Sequence, residues 1–179
     1  MISFLKGILG TDVAGTTRKI RYLGNAKTEE GIPTLINHLQ DENIQIRRAA
    51  SEALEHHWMT GRQDAIAALT NALGDTDPVV RKNAALGIGE FISKCTSVEE
   101  CAAAKKAMIQ RLIIESDEKV IMSMVAGLAY AHDTNLTAQF ADAFATRDKK
   151  TIGMAIDMIN NLPQTDIRME MKKALRSLL

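Results

Sequence analysis

Residues 77–89 read DPVVRKNAALGIG. Asp77 and Pro78 lead into a helix, since proline is tolerated in a first helical turn, where its missing N–H has no intrahelical partner to lose. Val80, Ala84 and Ile88 fall at i, i+4 and i+8 and share one face. Ala84 and Gly87 are small, so a neighbouring helix can come close. Arg81 borders the apolar stripe, where its stem packs and its head reaches a polar partner. The earlier segment DENIQIRRAASEAL, 41–54, carries the same pattern 34 residues upstream. Ile46, Arg47, Ala50, Ala53 and Leu54 stand where Val80, Arg81, Ala84, Gly87 and Ile88 stand. Two copies at a fixed spacing signal a repeat.

Working outward, each copy has a first helix before it. GIPTLINHL, 31–39, precedes the first copy, and 62–73 precedes the second through the turn Gly74-Asp75-Thr76-Asp77-Pro78. Upstream, 12–24 reads as a helix that Gly24 stops, because glycine tolerates the left-handed conformation of a helix end. Downstream, a longer helix over 99–115 precedes a third copy at 119–131. There Val120, Met124, Gly127 and Leu128 keep the pattern, but Ile121 and Met122 replace Arg81 and Lys82. A fourth pair follows at 135–145 and 151–161. A last helix, capped by Thr165 or Asp166, runs to 178 with Lys172, Lys173 and Arg176 near its end, where cations suit the helix dipole. About eleven helices joined by short links predict an all-α fold. It is an α-solenoid of stacked antiparallel hairpins, one domain over 1–179 with incomplete or capping elements at both ends. Ile2, Phe4, Leu5 and Ile8 are expected to cover the open N-terminal end.

Composition agrees. Aromatics make up only 4% of the chain, which suits closely packed helices better than strands. With 22 basic and 22 acidic residues the net charge is zero, which argues against nucleic acid or an anionic membrane as the main partner. Cys95 and Cys101 are too few for a disulfide framework, so the expected location is cytoplasmic. No apolar run approaches a membrane span.

The run KIRYLGNAKTEEGIPTLINHLQDENIQIRRAASEAL, 19–54, resembles the short HEAT-like repeats of the bilin (phycobilisome) lyase family. Ile32, Pro33, Leu35, Ile36, Asp41, Ile46, Arg47, Ala49 and Ala50 carry the resemblance, and Asp77, Val80, Arg81, Ala84 and Ala85 carry it again. It implies paired helices stacked into a curved rod, with the second helices on the concave side. One hairpin cannot bury both its faces, so each needs neighbours. The resemblance also implies one enzyme-class alternative, a subunit of a bilin lyase or of a factor that attaches or detaches phycobiliprotein chromophores. No residue transfers as catalytic.

The remaining residues offer little chemistry. His56, His57 and Trp58 form the most unusual cluster, but adjacent histidines on a helix point apart and cannot share a metal. His38 and His132 are isolated. The His-Glu pairs of the HEAT-like di-iron enzyme deoxyhypusine hydroxylase are missing. No catalytic residue, metal site or cofactor is expected. The basic pairs Arg18-Lys19, Arg47-Arg48 and Arg81-Lys82 read as a structural ladder: Arg47 and Arg81 tied to turn aspartates such as Asp41 and Asp75. The expected function is a scaffold that binds another protein or a peptide on its concave face. Its site is sought where the third and fourth copies, VIMSMVAGLAYA and TIGMAIDMINN, turn apolar nearly all round. Met122, Met154 and Met158 are expected nearest that surface, since methionine adapts to a partner. Self-association through the same patch is the second expected use.

Overall fold

The computed structural model describes residues 12–55, 63–95, 99, 101–131, 133 and 135–179. These form ten α-helices, with no strand among the described residues. They are α1 (Val13–Ala26), α2 (Ile32–His38, after a 3₁₀ turn), α3 (Ile44–Glu55), α4 (Gln63–Ala72) and α5 (Pro78–Lys94). Then come α6 (Ala102–Ile114), α7 (Glu118–Leu128), α8 (Leu136–Phe144), α9 (Lys149–Asn160) and α10 (Asp166–Arg176). Ile2, Phe4, Leu5, Ile8, His56, His57, Trp58 and His132 lie outside the described residues.

The chain builds an all-α solenoid of two layers. The odd helices stack in the order α1, α3, α5, α7, α9, and the even helices stack beside them as α2, α4, α6, α8, α10. The core lies between the layers. Ile46, Leu54, Val80 and Ile88 from the odd helices are buried against Leu35, Leu69, Met108 and Leu112 from the even ones. Phe140 and Phe144, one turn apart on α8, fill the C-terminal core with ring centroids 5.1 Å apart.

Each odd helix starts at a residue whose side chain caps it. Asp12 Oδ1 accepts from the Gly15 N–H, Asp77 from Val79 and Val80, Asp117 from Lys119 and Val120, and Asp148 from Thr151. Asn43 holds the Gln45 N–H in the same way before α3. These caps satisfy amides that the helix cannot, and they fix a common register for the five helices.

Small residues set the spacing of the odd layer. A Cβ on Gly24 would lie 2.8 Å from Ala53 Cβ, and one on Gly89 would lie 2.7 Å from Gly127 Cα. The even helices meet through larger side chains. The odd helices therefore pack more closely on one another than the even ones do from α1 to α7, as a stack concave on its odd side requires. Gly24 is thus a contact residue rather than a helix stop. Helix α1 runs on to Ala26 and ends at Lys27, which takes the left-handed conformation at φ 50°. No helix among the described residues is long and apolar enough to cross a membrane.

Candidate functional site

The concave face is held in shape by a ladder of arginines at the helix starts. Arg47 Nε donates to Asp75 Oδ2 at 2.8 Å and its Nη2 to Asp75 Oδ1 at 3.2 Å. Its Nη1 donates to the carbonyls of Asp41 and Glu42, at 2.9 and 3.1 Å. Arg81 repeats the geometry one turn on, but its carboxylate is a glutamate rather than an aspartate. Nε and Nη2 reach Glu115 at 2.7 and 2.8 Å, and Nη1 reaches the carbonyls of Asp75 and Thr76 at 2.9 and 3.0 Å. Each rung thus ties its own turn to the next one. Asp41, Asp75 and Glu115 also brace their turns from within: they accept the N–H of Asn43, of Asp77, and of Ser116 and Asp117.

Glu115 is 1% exposed. Burial alone would push its carboxyl up. The Arg81 guanidinium, the Asp117 N–H, Arg111 and the Ser116 N–H together win and hold it at about 2, against the usual 4.5.

The next rung is built differently. Ile121, in the register of Arg81, is buried at 2% exposure, and its side chain has no group to donate. Arg147, in the turn before α9, reaches back instead and donates to the carbonyls of Glu115 and Leu112. The ladder therefore continues with its donor moved to the following turn. Nothing in the spacing of the repeats signals this, because Arg147 does not occupy the repeat's arginine position. A second link, also missed in the sequence, joins α3 to α5. Arg48 grips Asp77 through Nε at 2.9 Å and Nη2 at 2.6 Å, and buried Asn83 Nδ2 donates to Ser51 Oγ at 3.1 Å.

Three cavities run along the concave face. One of about 240 Å³ lies between α1 and α3, beside Arg21, Gly24 and Glu52. One of about 470 Å³ crosses α1, α3 and α5, lined by Gln45, Arg48, Glu52, Val79, Lys82 and Leu86 among others. One of about 340 Å³ lies over the Gly89–Gly127 contact, between Leu86, Glu90, Lys94, Ser123, Ala126 and Tyr130. Leu86 and Glu52 are each shared by two cavities, so the three form one groove.

The common register places the methionines. Met122 falls at the position of Arg48 and Lys82, and Met154 at that of Ala49, Asn83 and Ser123, all of which line the groove. Both methionines are half-buried. Met158 falls at the position of Ala53, Gly87 and Gly127, which faces the preceding odd helix. It packs against the core, as Met122 also does, and Ala53 and Gly127 at its position border the groove's cavities as well. Helix α7 looked apolar all round because three neighbours, α5, α6 and α9, cover it.

Elsewhere, Lys105 Nζ is buried and pairs with Asp133 Oδ2 at 2.7 Å. Among the described residues, no group of three or more His, Cys, Asp or Glu is placed to hold a metal ion.

Comparison with known proteins points to the same architecture. A family model for HEAT repeats matches residues 17–89 and 32–129. An engineered protein of known structure is similar at a TM-score of 0.58 and 16% identity, over 94% of this chain and 93% of that one. A computationally designed armadillo repeat protein for modular peptide recognition is similar at 0.53 and 14% identity, over 94% of each chain. The complex of CpcE and CpcF of phycocyanin lyase from Nostoc sp. PCC7120 aligns over 95% of this chain and 91% of that chain at 16% identity. Its TM-score is 0.45. None of the curated proteins matches the chain.

Proposed function

Because the chain belongs to the HEAT repeat family, we propose that it is a scaffold that binds another protein or a peptide in the concave groove of its odd helices. The observation that carries this reading is the groove itself. It runs unbroken over α1, α3, α5 and α7, and its lining changes from charged at α3, with Arg48 and Glu52, to small and less polar at α7, with Ser123, Ala126 and Gly127. A groove of this kind lets a linear partner touch several repeats, and a similar designed armadillo repeat protein was made for modular peptide recognition. Met122 and Met154 supply adaptable apolar contact at the C-terminal end. Charged and amide groups at the other end supply orientation.

The test is a double variant, Met122→Lys with Met154→Lys. Both are half-buried, and their register positions carry Arg48 and Lys82 in one case and Asn83 and Ser123 in the other, so the helical circular dichroism signal should persist. Partners that co-purify with the native protein should be lost, or self-association abolished. A folded double variant that retains every partner would place the site elsewhere.

A further inference from the structure

Tyr130 belongs to two places at once. It lines the cavity over the Gly89–Gly127 contact, beside Leu86, Glu90 and Ala126. It also meets Arg168 of α10, whose guanidinium lies 4.4 Å from the centre of its ring. Arg168 does not line that cavity, so the ring stands between the guanidinium and the groove. Tyr130 is 38% exposed and Arg168 only 4%.

That buried cation is held without a countercharge. Among the described residues no carboxylate pairs with it. Its Nε donates to the Ala129 carbonyl at 2.8 Å, and another N–H donates to the Pro163 carbonyl. Ala129 follows the last residue of α7, so its carbonyl belongs to the negative end of that helix. The electron-rich face of Tyr130 supplies the rest. Helix α10 otherwise packs mainly on α8 and α9, so Arg168 is its tie to α7 and, through the ring, to the groove. It is also the last element of the array, where local opening costs least. A ring pressed from the groove side stays over Arg168, and a ring released by α10 is free to turn into the cavity. One two-state element, α10 docked or undocked, is thereby biased from two separate places.

Resting on our reading of the groove as a partner site, we infer that α10 is a strap that regulates it. Arg168 is a positioning residue that holds Tyr130 as the wall of the cavity, so docking of α10 and filling of the cavity strengthen each other. The coupling is reciprocal: an occupant packed on the ring protects α10, and undocking of α10 loosens the groove's hold on its occupant.

The coupling can be read in the chain alone. Ala126 lines the cavity four residues before Tyr130 and is half-buried, so Ala126→Phe places a ring in the cavity against Tyr130. Amide hydrogen exchange in Asp166–Arg176 is expected to slow about threefold in this variant, the size of a typical aromatic pair. Ala126→Ser should leave it unchanged, and in an Arg168→Met background Ala126→Phe should have no effect on α10. Ala126→Leu, which asks less of the cavity, is read in the same way. Tyr130→Ala should speed exchange in α10 as much as Arg168→Met does, and the two together no more than either alone, whereas Tyr130→Phe should keep the protection. In the other direction, Tyr22→Phe leaves Tyr130 as the one tyrosine of the chain. Its fluorine resonance, from fluorotyrosine labelling, should move in Arg168→Met while the circular dichroism spectrum stays the same. Unchanged α10 exchange in folded Ala126→Phe or Ala126→Leu, equal slowing with Met at 168, or additive effects of Tyr130→Ala and Arg168→Met would overturn the inference. If the Met122→Lys, Met154→Lys variant still loses its native partner in those cases, the scaffold reading stands without α10 as its regulator.

Discussion

Glu115 gathers five hydrogen bonds on one buried carboxylate: two from Arg81, one from Arg111 and two from the amides of its own turn. Removing Arg81 would leave that charge buried with only Arg111 and the amides. Breaking one side of a buried ion pair costs about 3–5 kcal/mol, much more than losing a surface pair. We expect Arg81→Ala to lower the urea midpoint accordingly, and an unchanged midpoint would show that Arg81 carries no structural role. Arg47→Ala should cost less, because Asp75 and Arg47 are both more open to solvent than Glu115. The same carboxylate makes stability depend on pH. Its pKa in the folded chain is lowered, so its contribution is fully present above the unfolded value near 4.5. It is lost as pH falls toward about 2. The loss is on the order of 3 kcal/mol. Urea titrations at pH 7, 4 and 3 should therefore show a drop in the native chain that is clearly smaller in Glu115→Gln. Parallel curves for the two proteins would contradict this account.

At the scale of the elements, glycine does two different jobs that spacing alone does not separate. Gly89 and Gly127 face each other so closely that a Cβ on either meets the other's backbone, under 3 Å away. Backbone cannot give way as a side chain does, so Gly89→Ala should separate α5 from α7 and cost roughly 1–3 kcal/mol. Gly153 on α9 has nothing within 4 Å of where a Cβ would be. Gly153→Ala should instead stabilise the chain by about 0.5–1 kcal/mol, the helix-propensity difference. Thermal melts of the two variants should move in opposite directions. The helices themselves were readable, since Asp77, Val80, Arg81 and Ala84 state a cap, a core stripe and a ladder within eight residues. Gly24 was misread as a stop because local rules see its freedom and not its neighbour, Ala53 on another helix. The move of the ladder donor from 121 to 147 was invisible for the same reason. A side chain that substitutes from a different position leaves a gap in the pattern but no sign of what fills it.

Over the whole molecule, the groove was legible as a face but not in its detail. Periodicity located the apolar third and fourth odd helices. Only the common register of the caps shows that Met122 and Met154 share positions with groove-lining residues, and that Met158 shares one that also faces the preceding odd helix, in the seam between α7 and α9. That seam also determines how the array comes apart. Between α5 and α7 two glycines allow close contact, and Arg81 clamps the turns on both sides. Between α7 and α9 a methionine stands at the glycine position and the packing is looser. The clamp there is Arg147, whose Nε is buried without a partner, and an exposed pair, Lys150 with Glu118 at 2.5 Å. The last unit relies on Arg168. Its Nε donates to the Ala129 carbonyl at 2.8 Å, another N–H reaches the Pro163 carbonyl, and its guanidinium lies 4.4 Å from the centre of the Tyr130 ring. In a linear array each unit is stabilised by its neighbours alone, so a weak seam lets the end open before the middle. Amide hydrogen exchange should therefore be faster in α9 and α10 than in α5 and α7 under native conditions. Arg168→Ala should speed exchange in α9 and α10 by about tenfold or more, given roughly 1–3 kcal/mol for charged hydrogen bonds and the ring contact. Exchange in α3 to α5 should stay unchanged. Uniform protection along the chain, or a uniform loss of it in the variant, would mean that the repeats unfold as a single cooperative block.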